Sequence, residues 1–184
     1  MAFLDFLSPG KKRAEKRAVL IEEANSFVEQ IKQNKGLTPI ASGLLLKPEE
    51  EAFLETNSVL QETRAIRYHK RGGAGFRVMK GVWIGAGSGT SESKDEWRVI
   101  DQGKLTLTNK KLVFDGSKGD RVIPLNKIIS INPWLDGIEV STENRSKSML
   151  LSVNNPFIWA AVINVLNKVE DPRKIEGGID IAFK

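Results

Sequence analysis

The sequence predicts an α+β fold: an antiparallel β-barrel or sandwich closed by a C-terminal helix and preceded by an N-terminal helical extension. Three observations lead there. Apolar residues recur every three or four positions near the start and every second position from Val59 onward. Tight-turn signals punctuate the alternating part: TNKK at residues 108–111, DGSKGD at 115–120, and the pair Asp136-Gly137. The alternation then gives way to NNPFIWAAVINVL, which reads as an Asn-capped amphipathic helix with proline in its first turn.

Taken in order, residues 11–33 are expected to form the first helix. Ser8 and Pro9 suit its start, Ala14, Ala18, Ile21, Ala24, Val28 and Ile31 make one apolar stripe, and residues 34–36 close it. A helix with one apolar stripe docks either on its own domain or on another copy. Residues 37–47, with Pro39 and Gly43, connect it to a second, shorter helix. Pro48 at a first turn and Glu49, Glu50 and Glu51 at the positive end of the helix dipole announce that helix, which should end near Asn57.

From Val59 the period is two. Residues 59–71 and 76–85 read as strands around GGAG, whose glycines suit a tight reversal, and 87–95 reads as a Gly- and Ser-rich loop. Residues 96–101, 103–108, 111–115 and 121–125 follow as strands. Leu105 and Leu107 share one face while Thr106 and Thr108 take the other, and Leu112 and Phe114 face together. Asn109 is placed at the left-handed position of the first turn, and Asp115 with Gly116 opens the next. Strands over 128–134 and 138–142 flank Asp136-Gly137, and 148–153 is the last strand. Asn154 or Asn155 then caps a helix running to about Val169, with Ile158, Val162, Val165, Leu166 and Val169 on its core face and Trp159 and Ile163 beside it. The expected organisation is an extension over 1–58, a β domain with its closing helix over 59–170, and a tail over 171–184. In that tail GGIDIAFK is an edge-strand candidate or disordered.

Composition narrows the function classes. With 184 residues, 40% of them hydrophobic, the chain has material for one core and an appendage. The absence of cysteine excludes a disulfide scaffold, a thiolate nucleophile and a Cys-ligated zinc, and fits a reducing compartment. No apolar run approaches the roughly 20 residues that span a bilayer. Residues 1–7 are too short for a signal peptide and precede their basic residues instead of following them. A cytoplasmic protein is expected, with attachment at the inner face of the membrane as its peripheral form. The formal charge of +5 and a pI near 9.4 give a basic bias open to nucleic acid, an acidic partner or an anionic membrane face.

GKLTLTNKKLVFDG followed by RVIPLNKIISI resembles the GRAM-type branch of the pleckstrin-homology-like superfamily. The shared pattern is a glycine, an alternating strand, Thr-Asn-Lys, a strand ending in Phe, a short turn and an isoleucine-rich pair of strands. It covers roughly residues 59–169 and is similar to uncharacterised bacterial and phage-type proteins in which such a domain follows a helical N-terminus. The resemblance implies a non-enzymatic binding or adaptor module without a cofactor. The phosphoinositide-binding members of that superfamily hold phosphate with Lys and Arg at the first β-hairpin, which corresponds here to Lys70, Arg71, Arg77 and Lys80 around GGAG. The same residues also read as a solvated hairpin.

Other motifs carry less. GVWIGAGSGTSES lacks the Gly-Lys-Ser/Thr of a Walker loop and the following amphipathic helix of a dinucleotide turn, so it reads as a loop. His69, the single histidine, has no second histidine for zinc, and no serine lies in a nucleophile elbow. No metal site and no catalytic residue is expected. Trp83, Trp97, Trp134 and Trp159 are mostly core by pattern, and Trp134 in NPWLDG also suits a loop rim, where an exposed indole makes it a partner-contact candidate. Phe3, Leu4, Phe6 and Leu7 precede Lys11, Lys12, Arg13, Lys16 and Arg17, the composition of an interfacial anchor in which apolar residues enter the headgroup boundary and cations meet anionic lipid. A hydrophobic staple packed on the helix or the barrel is the competing reading. The expected function is binding of a protein partner or an anionic lipid surface. The alternative is self-association through the N-terminal helix, as a homo-oligomer. Nucleic acid ranks below both, because the aromatics are not interleaved with the cations as stacking platforms.

Overall fold

The computed structural model describes the backbone of residues 9–79, 82–169 and 171–175 and, among these, the side chains of residues 10–64, 96–169 and 171–175. The first helix, α1 (Pro9–Gln33), ends in a Schellman motif. Gly36 N–H donates to the Ile31 carbonyl at 3.0 Å, Lys35 N–H donates to the Lys32 carbonyl at 3.1 Å, and Lys35 takes the left-handed φ of 54°. Gly36 is required by close approach: a Cβ there would lie 2.2 Å from the Arg173 carbonyl oxygen. Leu20, Ala24, Val28 and Ile31 are buried. Ala14 and Ala18, expected in the same stripe, are exposed: the apolar stripe is buried only from Leu20 onward.

The second helix does not form. Residues 47–50 make a single turn, with Glu49 at φ 63°, and β1 (Ala52–Met79) begins at once. The acidic run that suggested a helix start serves tertiary contacts instead. Glu50 is buried, accepts from Thr108 Oγ1 at 2.9 Å and pairs with Lys111 Nζ at 3.1 Å. Asn109 bridges the same turn: its Oδ1 accepts from Glu51 N–H and its Nδ2 donates to the Glu49 carbonyl. Asn109 reads the neighbouring segment with its side chain and is not the left-handed residue of its turn.

β1 and β2 (Val82–Thr108) are far longer than expected. GGAG is not a reversal: Gly72, Gly73, Ala74 and Gly75 pair with Ser88, Gly87, Ala86 and Gly85, and the reversal falls between Met79 and Val82. Residues 87–95, expected as a loop, lie within β2. The remaining strands are β3 (Lys111–Gly116), β4 (Arg121–Pro124), β5 (Ile128–Pro133), β6 (Gly137–Thr142) and β7 (Met149–Ser152). Strand order is β4-β3-β2-β1-β7-β6-β5, all antiparallel. The two outermost strands, β4 and β5, are joined only by a 3-10 turn at Leu125–Lys127. So short a link forces the sheet to curl until its edges approach, giving a half-barrel.

Helix α2 (Pro156–Leu166) fills the open side. Asn155 is its cap, accepting from Phe157 and Ile158 N–H at 3.1 and 3.3 Å. Asn155 Nδ2 also donates to the Leu20 carbonyl and to Glu23, so one side chain fixes α2 and ties it to α1. Trp159, Val162, Ile163, Val165 and Leu166 pack against Leu60, Leu105, Leu107, Phe114, Ile138 and Met149 in one core. Helix α2 ends earlier than expected; Val169 lies beyond it and still packs on the core. The result is an α+β structure with a curled seven-stranded antiparallel sheet and two helices.

Candidate functional site

A β-bulge shapes the outer face of the sheet. Strict alternation along β2 would put Trp97 and Val99 on the face of Leu105 and Leu107, inside the core. The register instead slips at Ile100, since Leu60 pairs with Asp101 while Gln61 pairs with Val99. One extra residue turns every side chain before it to the opposite face. Trp97 is consequently 39% exposed and Val99 59%, and the expectation that Trp97 is a core residue is corrected.

Trp97 lies on the rim of an open depression of about 540 Å³, whose other lining residues are Trp134, Leu135, Asp136, Leu150, Arg13 and Lys16. With Trp97 they come from four pieces of the fold. Trp134 and Leu135 stand in the β5–β6 turn, which is closed by Trp134 N–H donating to the Gly137 carbonyl at 2.8 Å. The Trp134 indole N–H donates to Glu139 Oε2 at 3.2 Å, which holds the ring at the rim while leaving it 55% exposed. Leu150 comes from β7, in register with Gln61 and Glu139. Arg13 and Lys16 come from the exposed first turns of α1, whose first turn contains no acidic residue.

The structure thus brings together residues that the sequence placed in separate lists: Trp134 as a partner contact, Arg13 and Lys16 as membrane contacts. Trp97, Leu135 and Leu150 were not found by sequence reasoning, because the bulge that exposes Trp97 is set by pairing and not by composition. Of the other cations, Lys11 is exposed and Lys12 half-buried. Arg17 is engaged elsewhere, its guanidinium 5.6 Å from the centroid of the Phe157 ring, where it helps seat α1 on α2. Phe3, Leu4, Phe6, Leu7 and Lys80 lie outside the described residues. Lys70, Arg71 and Arg77 are described by backbone only, paired with Thr90, Gly89 and Trp83.

The perturbed carboxylates serve the scaffold. Burial pushes the Asp101 carboxyl up, but the Ser117 hydroxyl at 2.7 Å and the N–H groups of Lys118 and Gln102 at 2.8 Å outweigh it, so its pKa falls below the ordinary 3.8. These bonds clamp the β3–β4 turn onto β2 beside the bulge. Glu50 is lowered in the same way, burial being outweighed by Thr108, Lys47 N–H and Lys111. Among the described residues no group of three metal-ligating side chains gathers, and no helix is long and apolar enough to cross a membrane.

No protein-family model matches the chain, and no curated protein matches it. Among solved structures it is similar to the C-terminal domain of an unknown protein from Leishmania infantum, at 16% identity over 62% of this chain and 86% of that one, with a TM-score of 0.33. A likeness at that score carries no argument.

Proposed function

We propose that this chain is a non-enzymatic, pleckstrin-homology-like module of GRAM type that attaches to an anionic membrane surface from the cytoplasmic side and serves there as an adaptor. One observation carries the membrane reading: the exposed indoles of Trp97 and Trp134 share one depression with Arg13 and Lys16. Indoles partition to the headgroup region, where a polar N–H and an apolar ring are both satisfied, and cations beside them meet lipid phosphate. The order of four strands followed by three with a closing helix supports the superfamily reading.

Each cation contributes about 1 kcal/mol at such a surface, so attachment is weak and salt-sensitive. Co-sedimentation with vesicles of phosphatidylcholine, with and without phosphatidylglycerol, tests it. The full chain should pellet only with the anionic vesicles. Arg13→Glu with Lys16→Glu should weaken partitioning by tenfold or more, as should Trp97→Ala with Trp134→Ala. Equal pelleting with neutral vesicles, or partitioning indifferent to both pairs, overturns the reading and leaves the depression to a protein partner.

A second reading rests on Val19, 53% exposed on α1 beside exposed Ala18. Exposed apolar residues on the first half of a helix suit self-association. Light scattering that gives one monomer mass across a wide concentration range, with and without residues 1–19, contradicts it.

A further inference from the structure

Strand β1 carries two different edges. Up to Glu62 its outer edge is taken by β7, with Leu60, Gln61 and Glu62 opposite Leu151, Leu150 and Met149. Beyond Glu62 no described residue pairs with that edge, although β1 continues to Met79. At about 3.3 Å per residue this leaves on the order of 50 Å of strand whose outward N–H and C=O groups meet no third strand among the described residues. The place where β7 stops is marked by Lys147, whose Nζ donates to the Thr63 carbonyl at 3.1 Å. A side chain there does what the next residue of a neighbouring strand would do.

The charge along this edge has one sign. From Arg64 to Met79 the strand holds Arg64, Arg67, Lys70, Arg71 and Arg77 and no Asp or Glu. At its base Glu62 is neutralised by Arg145 at 2.7 Å and Arg64 at 3.5 Å, and Lys147 adds another exposed cation. Edge-to-edge pairing of two copies would set these cations against one another, which disfavours a second copy as the occupant. A row of alternating donors and acceptors matches another extended backbone, whereas a nucleic-acid duplex or a lipid surface has no use for the carbonyls.

We propose that the free edge of β1 beyond Thr63 is a docking site for an extended acidic segment of a partner protein, which adds to the sheet as a further strand in line with β7. Backbone pairing supplies the attachment and the cations of β1, with Lys147 at the base, select for acidic side chains.

The probe is a fluorescent twelve-residue peptide alternating glutamate with valine, titrated against the full chain by anisotropy. Two N-methylated versions accompany it, one methylated at odd positions and the other at even positions. Methylation removes donors from one edge of the peptide and leaves charge unchanged. The peptide should bind, and one methylated version should lose at least tenfold while the other retains affinity. Arg67→Glu with Arg71→Glu should also cost at least tenfold, with an unaltered thermal midpoint showing that the body is intact. The same changes should leave vesicle binding through the Trp97–Trp134 face unchanged, which separates the two surfaces. Equal binding of all three peptides reduces the edge to simple charge attraction and overturns the proposal. So does absence of binding, or tighter binding of a duplex DNA of similar length that responds to the same substitutions.

Discussion

The same two strands live in two environments. From Ala52 to Glu62, β1 is flanked by β2 and then also by β7, and Phe53 and Leu60 enter a core that α2 fills from the other side. From Thr63 to Met79 it pairs, among the described residues, with β2 alone. In the first region the pattern of inward and outward residues is imposed by burial, since a slip of one residue would move Leu60 or Leu105 into water. In the second, no third strand among the described residues joins the pair, and the sequence there is glycine-rich and basic. Cross-strand pairing runs the length of the ribbon, and packing around α2 gives the body its core.

That contrast can be broken most severely in the body. Phe114 is fully buried between β2 and β4, and Phe114→Ala should cost about 3–5 kcal/mol in denaturant unfolding, a large share of a small domain's stability. A midpoint unchanged by that cavity would mean that the core is not where the cooperativity resides. Next in size is a pH effect at the root of the ribbon. The Asp101 pKa is depressed on folding, so its contribution is complete above the unfolded value near 3.8 and is lost as pH falls through the lower folded value. The thermal midpoint should therefore fall as pH drops below about 4, and Asp101→Asn should lower the midpoint at neutral pH and reduce that fall. The smallest effect is expected from the ribbon itself. Arg64 and Glu96 are register partners, so joining them through Asn-Gly in place of residues 65–95 makes a two-residue hairpin. Stability should then stay within about 1 kcal/mol of the full chain, because an isolated two-stranded ribbon contributes little in water. A much larger loss would show that the ribbon packs on the body.

The sequence by itself determined what depends on neighbours along the chain. The β2–β3 meander, the Asp136-Gly137 hairpin, the Asn-capped closing helix and the end of α1 at residues 34–36 all follow from local turn chemistry and from periods of two and 3.6, which any partner must respect. Trp134 was legible as a rim residue because it sits in a turn between two strands. What only the tertiary structure decided depends on groups distant in sequence. Glu50 became a buried acceptor and not a helix start because Thr108 and Lys111 lie opposite it. The reversal moved from GGAG to the Met79–Val82 end because cross-strand pairing can continue through glycines when nothing requires them to turn. Trp97 faces outward because a single unpaired residue at Ile100 shifts the phase of the strand, and such a bulge is a property of two strands in register. The groove of two indoles and two cations arises only once that slip, the β5–β6 turn and the first turns of α1 are set against one another.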